Sequence, residues 1–208
     1  MTDLRQATFR DWDALGRVAY QTAYFGEGAA RFFPDEALFE DLWTSPYRLT
    51  PHDAFVAEQA GEVTGSIIGA PEQAAYARAV TATLLARVLP KLLTGRYRRP
   101  FSALPYLWRL QRNPAPHADW ARYPAHLHVN LLPQTRGAGV GGALLEAYLG
   151  ALRRRSVPGV QLSTTLDNAA ALRLYARAGF TVHAQRSTDL WTPWLGRPTV
   201  LVVMVKAL

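Results

Sequence analysis

The stretch Leu131-Leu132-Pro133-Gln134-Thr135-Arg136-Gly137-Ala138-Gly139-Val140-Gly141-Gly142 decides how this chain is read. Ala125 to Leu132, before and into it, has the texture of a strand, and Pro133 stops that strand. After it a helical pattern runs from about Gly139 to Arg154, with Val140, Leu144, Leu145, Tyr148, Leu149 and Leu152 on one face. A glycine-rich turn between a strand and a helix brings backbone N–H groups and the helix dipole together on an anion. Glycine lets the main chain approach a pyrophosphate that side chains would keep away, and Arg136 is placed to add charge. A P-loop would end Gly-Lys-Ser or Gly-Lys-Thr, whereas this turn continues Gly141-Gly142-Ala143. A Rossmann turn would need an acidic residue some twenty positions on, and Ser163 and Thr164 stand there instead. On the turn alone, a helix start that merely tolerates glycine stays open.

Outward from the turn the chain reads as an α/β protein. Leu4 to Thr8 suits a first strand, Arg10 to Ala23 a helix, and Asp35 to Trp43 a shorter one. Ala54 to Glu58 and Val63 to Gly69 form a hairpin turned at Gly61. From Pro71 to about Tyr123 the texture changes. Helical patterns at Glu72 to Leu93 and Leu104 to Gln111 are broken by Pro100, Pro105, Pro114 and Pro116, which predicts a helical insertion walling one side of a cleft. Strands follow at Gly159 to Thr164, Phe180 to Gln185 and Thr199 to Lys206. Between the first two, Asp167 or Asn168 caps a helix that ends at Ala178 before Gly179. This order predicts a single domain with an α/β core and antiparallel pairing at its edges.

Composition narrows the chemistry. The 208 residues include no cysteine, which excludes disulfides, cysteine-ligated metals and a thiol nucleophile. No apolar run is long enough for a membrane span, and Met1 to Gln6 lacks the apolar core of a signal peptide. A cytoplasmic protein without a membrane partner is therefore expected. The net charge of +7 suits an anionic cofactor; no recognition-helix or RNA-binding motif accompanies it, so nucleic acid is not the expected partner.

A second constellation lies downstream: Asn168, Ala171, Leu174, Tyr175, Gly179 and Phe180. Asn168 and Tyr175 are two helical turns apart on one face, so the tyrosine either reaches a cleft or is a half-buried core aromatic. Together, Arg136-x-x-Gly139-x-Gly141 and Asn168-x-x-Ala171-x-x-Leu174-Tyr175-x-x-x-Gly179-Phe180 resemble the GNAT superfamily of N-acetyltransferases, in order and in separation. The resemblance is strong over residues 125 to 182. The run from Tyr123 to Pro133, with Pro158-Gly159-Val160, looks more particularly like the acetyltransferase-like domain of O-GlcNAcases and its stand-alone bacterial relatives.

The resemblance implies a mixed, mostly antiparallel sheet with a V-shaped splay, and acetyl-CoA as acyl donor. Leu131 and Leu132 would pair with the pantetheine arm through their backbone. Arg136, Gly137, Ala138, Gly139, Val140, Gly141 and Gly142 would hold the pyrophosphate. Asn168 would hydrogen-bond the cofactor arm, and Tyr175 would protonate the leaving thiolate. The acetyl group would pass directly to a primary amine on a small molecule, a peptide or a protein.

The general base stays open between His128, Glu58 and water. His128 and Asn130 share one face of their strand, opposite Val129 and Leu131. A structural histidine bonded to backbone is an equal reading of His128, and Asp167 reads as a helix cap. His52, His126 and His128 lack an acidic partner at ligand spacing, so no metal is expected. Trp108 and Trp120 in the insertion, with Trp191 and Trp194 near the C-terminus, line an apolar or sugar-like pocket or pack a core or a homodimer contact. The alternative to an enzyme is a GNAT-fold binding module that retains CoA without turnover.

Overall fold

A computed structural model describes residues 2–49 and 54–208. Seven strands form one sheet in the order β1-β2-β3-β4-β5-β7-β6. They are β1 (Thr2–Gln6), β2 (Ala54–Gln59), β3 (Glu62–Ala70), β4 (Ala125–Leu131), β5 (Gly159–Thr165), β6 (Thr181–Thr188) and β7 (Thr199–Ala207). Neighbours pair antiparallel except β4 with β5, which run parallel in the middle of the sheet. That central pair meets only at Ala125 with Val160 and His126 with Gln161, although each strand has seven residues. Beyond His126 the two strands part, and the sheet opens as the V that the family resemblance implied.

Helices cover both faces. On one lie α1 (Trp12–Thr22) and α2 (Glu36–Trp43); α2 is capped by Asp35, which accepts from the Leu38 N–H. The other carries α6 (Val140–Arg154), whose Leu144, Leu145, Tyr148, Leu149 and Leu152 are buried among Leu127, Val160, Leu162, Val202 and Met204. The helix α7 (Ala169–Arg177) follows β5.

The insertion is helical, as its sequence predicts. It runs through α3 (Gln73–Thr83), a π-turn at Leu84–Val88, α4 (Leu89–Leu93) and α5 (Leu104–Arg112). Its polarity is partly inverted. Arg87 and Lys91 turn inward onto the carboxylate of Asp41, whose side chain is 2% exposed, and Tyr97 donates to the same group at 2.8 Å. Leu85, Leu89 and Leu93 face outward. Burial alone would raise the Asp41 carboxyl; hydrogen bonds from Lys91, Arg87 and Tyr97 outweigh it, and the net shift is downward.

Candidate active site

The cleft forms where the sheet splays. From Leu127 on, β4 has no partner on its β5 side, while its other edge stays paired to β3 as far as Leu131 with Gly65. The Leu132 N–H continues that side, donating to the Thr64 carbonyl at 2.9 Å. The β5-facing backbone of β4 is therefore open to an extended ligand as far as Leu131, whose carbonyl accepts from Arg136, while the Leu132 N–H is taken by Thr64.

The turn then leads into α6. Gly137 and Gly139 take φ of +84° and +78°, left-handed values that glycine adopts without strain, and a Cβ at either would meet nothing within 4 Å. Val140 opens α6 with no side-chain cap, so its first-turn N–H groups have no side-chain acceptor. This cradle of Gly137, Ala138, Gly139, Val140, Gly141 and Gly142 fits a pyrophosphate. Arg136 behaves differently from its sequence reading. Its guanidinium turns back, donating to the carbonyls of Leu131 at 3.0 Å and Gly26 at 2.5 Å, and so ties the turn to the loop after α1.

A cavity of about 360 Å³ lies in the splay. Its donor-side wall includes Tyr175, Asn168 and Ala171 from the α7 region, with Leu127 and Val129 from β4. Tyr175 is buried, its ring 5.7 Å from that of Phe180, and its hydroxyl has no hydrogen-bond partner among the described residues. Burial raises its pKa well above that of a free tyrosine. Asn168 is the cap of α7, accepting from the Ala171 N–H at 3.2 Å, which leaves its amide N–H groups available at the cavity. Asp167 is not the cap. It pairs with Arg197 and Thr199, side-chain contacts across the chain that local spacing does not reveal.

The opposite wall carries His128 and Asn130, on the same face of β4 as expected from strand alternation. Asn130 donates to the Thr22 hydroxyl at 2.8 Å, which in turn donates to the Val18 carbonyl. Water can reach the His128 ring from the cleft, yet protein surrounds it on most sides, and loss of hydration pushes its pKa down to about 4. His126, one step along the same face, bonds Tyr47 through Nε2 at 2.9 Å while its Nδ1 is buried without a partner. Burial, with His128 adding to it, lowers His126 to about 3.

Glu58 does not reach this cavity. At the β2 bulge it turns to Arg5, which donates to it at 3.0 and 2.8 Å and also holds Asp11. His52 lies outside the described residues, and no cluster fit for a metal occurs among those described.

The remaining wall is aromatic: Phe32, Phe39 and Trp43 near α1 and α2, Tyr106 from α5, and Trp191 before the short helix α8 (Thr192–Leu195). The insertion thus does supply part of the wall, through Tyr106 and Leu110. Trp108 does not; it is 53% exposed and stacked under Arg112 at 4.1 Å. Trp120 instead stacks on His117. Phe32, Phe39 and Trp43 went unrecognised in the sequence; a dense run of rings between Tyr20 and Trp43 was the available signal.

Comparison with known proteins agrees with this geometry. Residues 108–180 match the family model of the acetyltransferase (GNAT) family. Over 99% of this chain and 98% of the other, the structure matches SsHAT with a TM-score of 0.71 and 30% sequence identity. The ribosomal-protein-alanine N-acetyltransferase of Brucella melitensis shares the fold, with a TM-score of 0.59 and 20% identity over 99% of each chain. Among curated proteins, the mycothiol acetyltransferase of Streptomyces griseus subsp. griseus is 40% identical over 55 residues, 26% of this chain and 18% of that protein. That of Geodermatophilus obscurus is 46% identical over 52 residues, 25% and 17% of the two chains. The match therefore spans less than a fifth of those relatives' length. With a glycine-rich turn opening α6, a splayed sheet and a 30% identical structure matched over nearly its whole length, the chain belongs to the acetyltransferase (GNAT) family, whose acyl donor is acetyl-CoA.

Proposed function

We propose that this chain is an active N-acetyltransferase that passes an acetyl group directly from acetyl-CoA to a primary amine. The observation that carries this reading is the meeting of Tyr175 and His128 across one cavity at the point where β4 leaves β5. When bound, acetyl-CoA supplies an activated thioester. The free edge of β4 as far as Leu131 would align the pantetheine arm, and Asn168 would donate to it. The N–H groups from Gly137 to Gly142 would hold the pyrophosphate, with Arg136 bracing the turn from behind.

A C–N bond then forms as the C–S bond breaks. The amine must give up a proton, and His128, neutral because of its low pKa, accepts it directly or through a water. Tyr175, kept protonated by burial, gives its proton to the departing sulfur. No cysteine is present to form a covalent intermediate, in keeping with direct transfer. A cytoplasmic setting goes with this reading, since that is where an acyl-CoA donor is met.

A second reading is a module that binds CoA without turnover. It is favoured by one observation: among the described residues the cavity presents no carboxylate, and the imidazole of His128 is a weak base. The closer likeness of Tyr123 to Pro133 to the O-GlcNAcase-associated domains belongs with this reading. Two measurements test these readings, and the second separates them. Acetyl-CoA should raise the melting temperature under either one. Release of free thiol with a panel of amines should occur only under the first, and its absence throughout the panel would leave the module.

A further inference from the structure

We propose that the acceptor is an amine carried on an uncharged apolar body, in its simplest form an arylalkylamine, and not an amino acid or a lysine-bearing peptide. The inference rests on the acetyltransferase reading and concerns the half of the cavity that the donor does not use.

The cavity sits at a seam between two apolar clusters. Tyr175, Leu127 and Val129 belong to the cluster under α6, which is the donor side. Phe32, Phe39, Trp43, Tyr106 and Trp191 belong to the cluster around α2 and α5. Acetyl-CoA therefore leaves the second wall for the acceptor. That wall is made of rings held by other rings. Phe32 lies 4.5 Å from Tyr106 and 5.1 Å from Trp191 between centroids, and Phe39 stacks on Trp43 at 5.1 Å and 6°. Interlocked rings lose little freedom when a flat apolar body packs against them.

Charge decides between acceptor classes. No Asp, Glu, Lys or Arg lines the cavity among the described residues. An acceptor with a carboxylate would bury that charge with no cation to pair it. Of the cations beside the aromatic wall, Arg31 lies over the Tyr24 ring and pairs with Glu27, and Arg109 is occupied by the backbone carbonyls of Asp189 and Leu190. A sugar-like polyol would find its polar partners along β4 and β5 and at Asn168, with only Thr44, among the described residues, beside the ring-lined wall where the acceptor's body rests. An incoming ammonium, by contrast, is tolerated by π faces without a carboxylate that would trap its proton. The cavity is thus polar where the amine reacts and apolar where its body rests.

The test compares 2-phenylethylamine with phenylalanine, which differs by one carboxylate, and with a lysine-bearing peptide, at saturating acetyl-CoA. The expected result is a kcat/KM for 2-phenylethylamine at least about 100-fold above both. Trp43→Ala should raise the KM for 2-phenylethylamine by about tenfold and that for ethylamine much less. Equal turnover of phenylalanine or of the peptide overturns the proposal. So does a preference for hexanoyl-CoA over acetyl-CoA with ethylamine, which would make the wall an acyl pocket. If no amine is turned over, binding to the CoA-saturated protein is read by tryptophan fluorescence. Saturable binding of 2-phenylethylamine and none of phenylalanine upholds the pocket's chemistry while the acetyltransferase reading fails; no binding of either overturns it.

Discussion

The hydroxyl of Tyr148 on α6 donates to the carbonyl of His126 across 2.8 Å, and His126 is the last residue at which β4 still pairs with β5. One hydrogen bond from the main core helix thus fixes the backbone where the sheet opens. Gly69 on β3 makes room for it. A Cβ there would lie 2.2 Å from the Tyr148 hydroxyl and 2.4 Å from the His126 carbonyl oxygen.

Gly69→Ala should therefore destabilise the protein by about 2–3 kcal/mol in urea denaturation, as an overpacked site with backbone on one side. Tyr148→Phe alone should cost about 1 kcal/mol. In the double variant the tyrosine oxygen is gone but the carbonyl remains, so rescue should be incomplete. Full recovery on adding Tyr148→Phe would show that the strand backbone yields freely.

Tyr175→Phe should lower kcat by about 100-fold while leaving the KM for acetyl-CoA nearly unchanged. Since the hydroxyl has no protein partner among the described residues, the melting temperature should hardly move. Because burial raises the tyrosine pKa, it should not impose an alkaline fall in rate below pH 10. Thiol release across pH checks both statements, and unchanged turnover in the variant would remove Tyr175 from the proton path.

Asp41→Asn should destabilise the protein by about 2–3 kcal/mol. The carboxylate is almost fully buried beneath Arg87, Lys91 and Tyr97, and it ties the insertion to α2. Both cations are partly exposed and can turn to water, which keeps the loss below that of a fully buried network. Hydrogen exchange should show the loss concentrated in residues 84–99. Uniform loss across the sheet would mean that the insertion is not a separately opening unit.

The elements assigned to the donor were legible because they are local, although the direction of the Arg136 side chain was not. The turn from Arg136 to Gly142, the helix it opens, and Asn168 with Tyr175 on one helical face are all fixed by short spacings. The sheet's splay was legible only through family resemblance, since nothing in β4 or β5 alone says where they part. The acceptor half was not legible. Its rings come from segments as far apart as Phe32 and Trp191, and tertiary packing alone brings them together. Glu58 looked available because a strand end says nothing about an arginine 53 residues away. Periodicity found the helix from Glu72 to Leu93 but could not say that its arginine and lysine point inward.

The pH dependence of stability should show two opposing contributions. His126 has a folded pKa of about 3, below the ordinary 6.5, because burial disfavours its charged form; the exposed ring of His128 adds little. The unfolded chain then binds more protons below pH 6.5, so this contribution is fully present above 6.5 and falls as the pH drops toward 3. Glu40 does the reverse. Burial first, and then Glu36, Asp13 and Asp41, raise its carboxyl to about 7. Its folded form holds a proton that the unfolded chain has released, so stability falls as the pH rises from 4.5 through 7. Glu40→Gln should accordingly raise the melting temperature by about 2–4 °C at pH 8 and leave it unchanged at pH 4.5. His126→Gln removes the Tyr47 partner and should lower stability at neutral pH. The informative readout is its slope: its melting temperature should fall less between pH 6.5 and 5 than that of the parent protein. A parent protein equally stable at pH 5 and 6.5, with Glu40→Gln unchanged at pH 8, would mean that these groups are hydrated in solution.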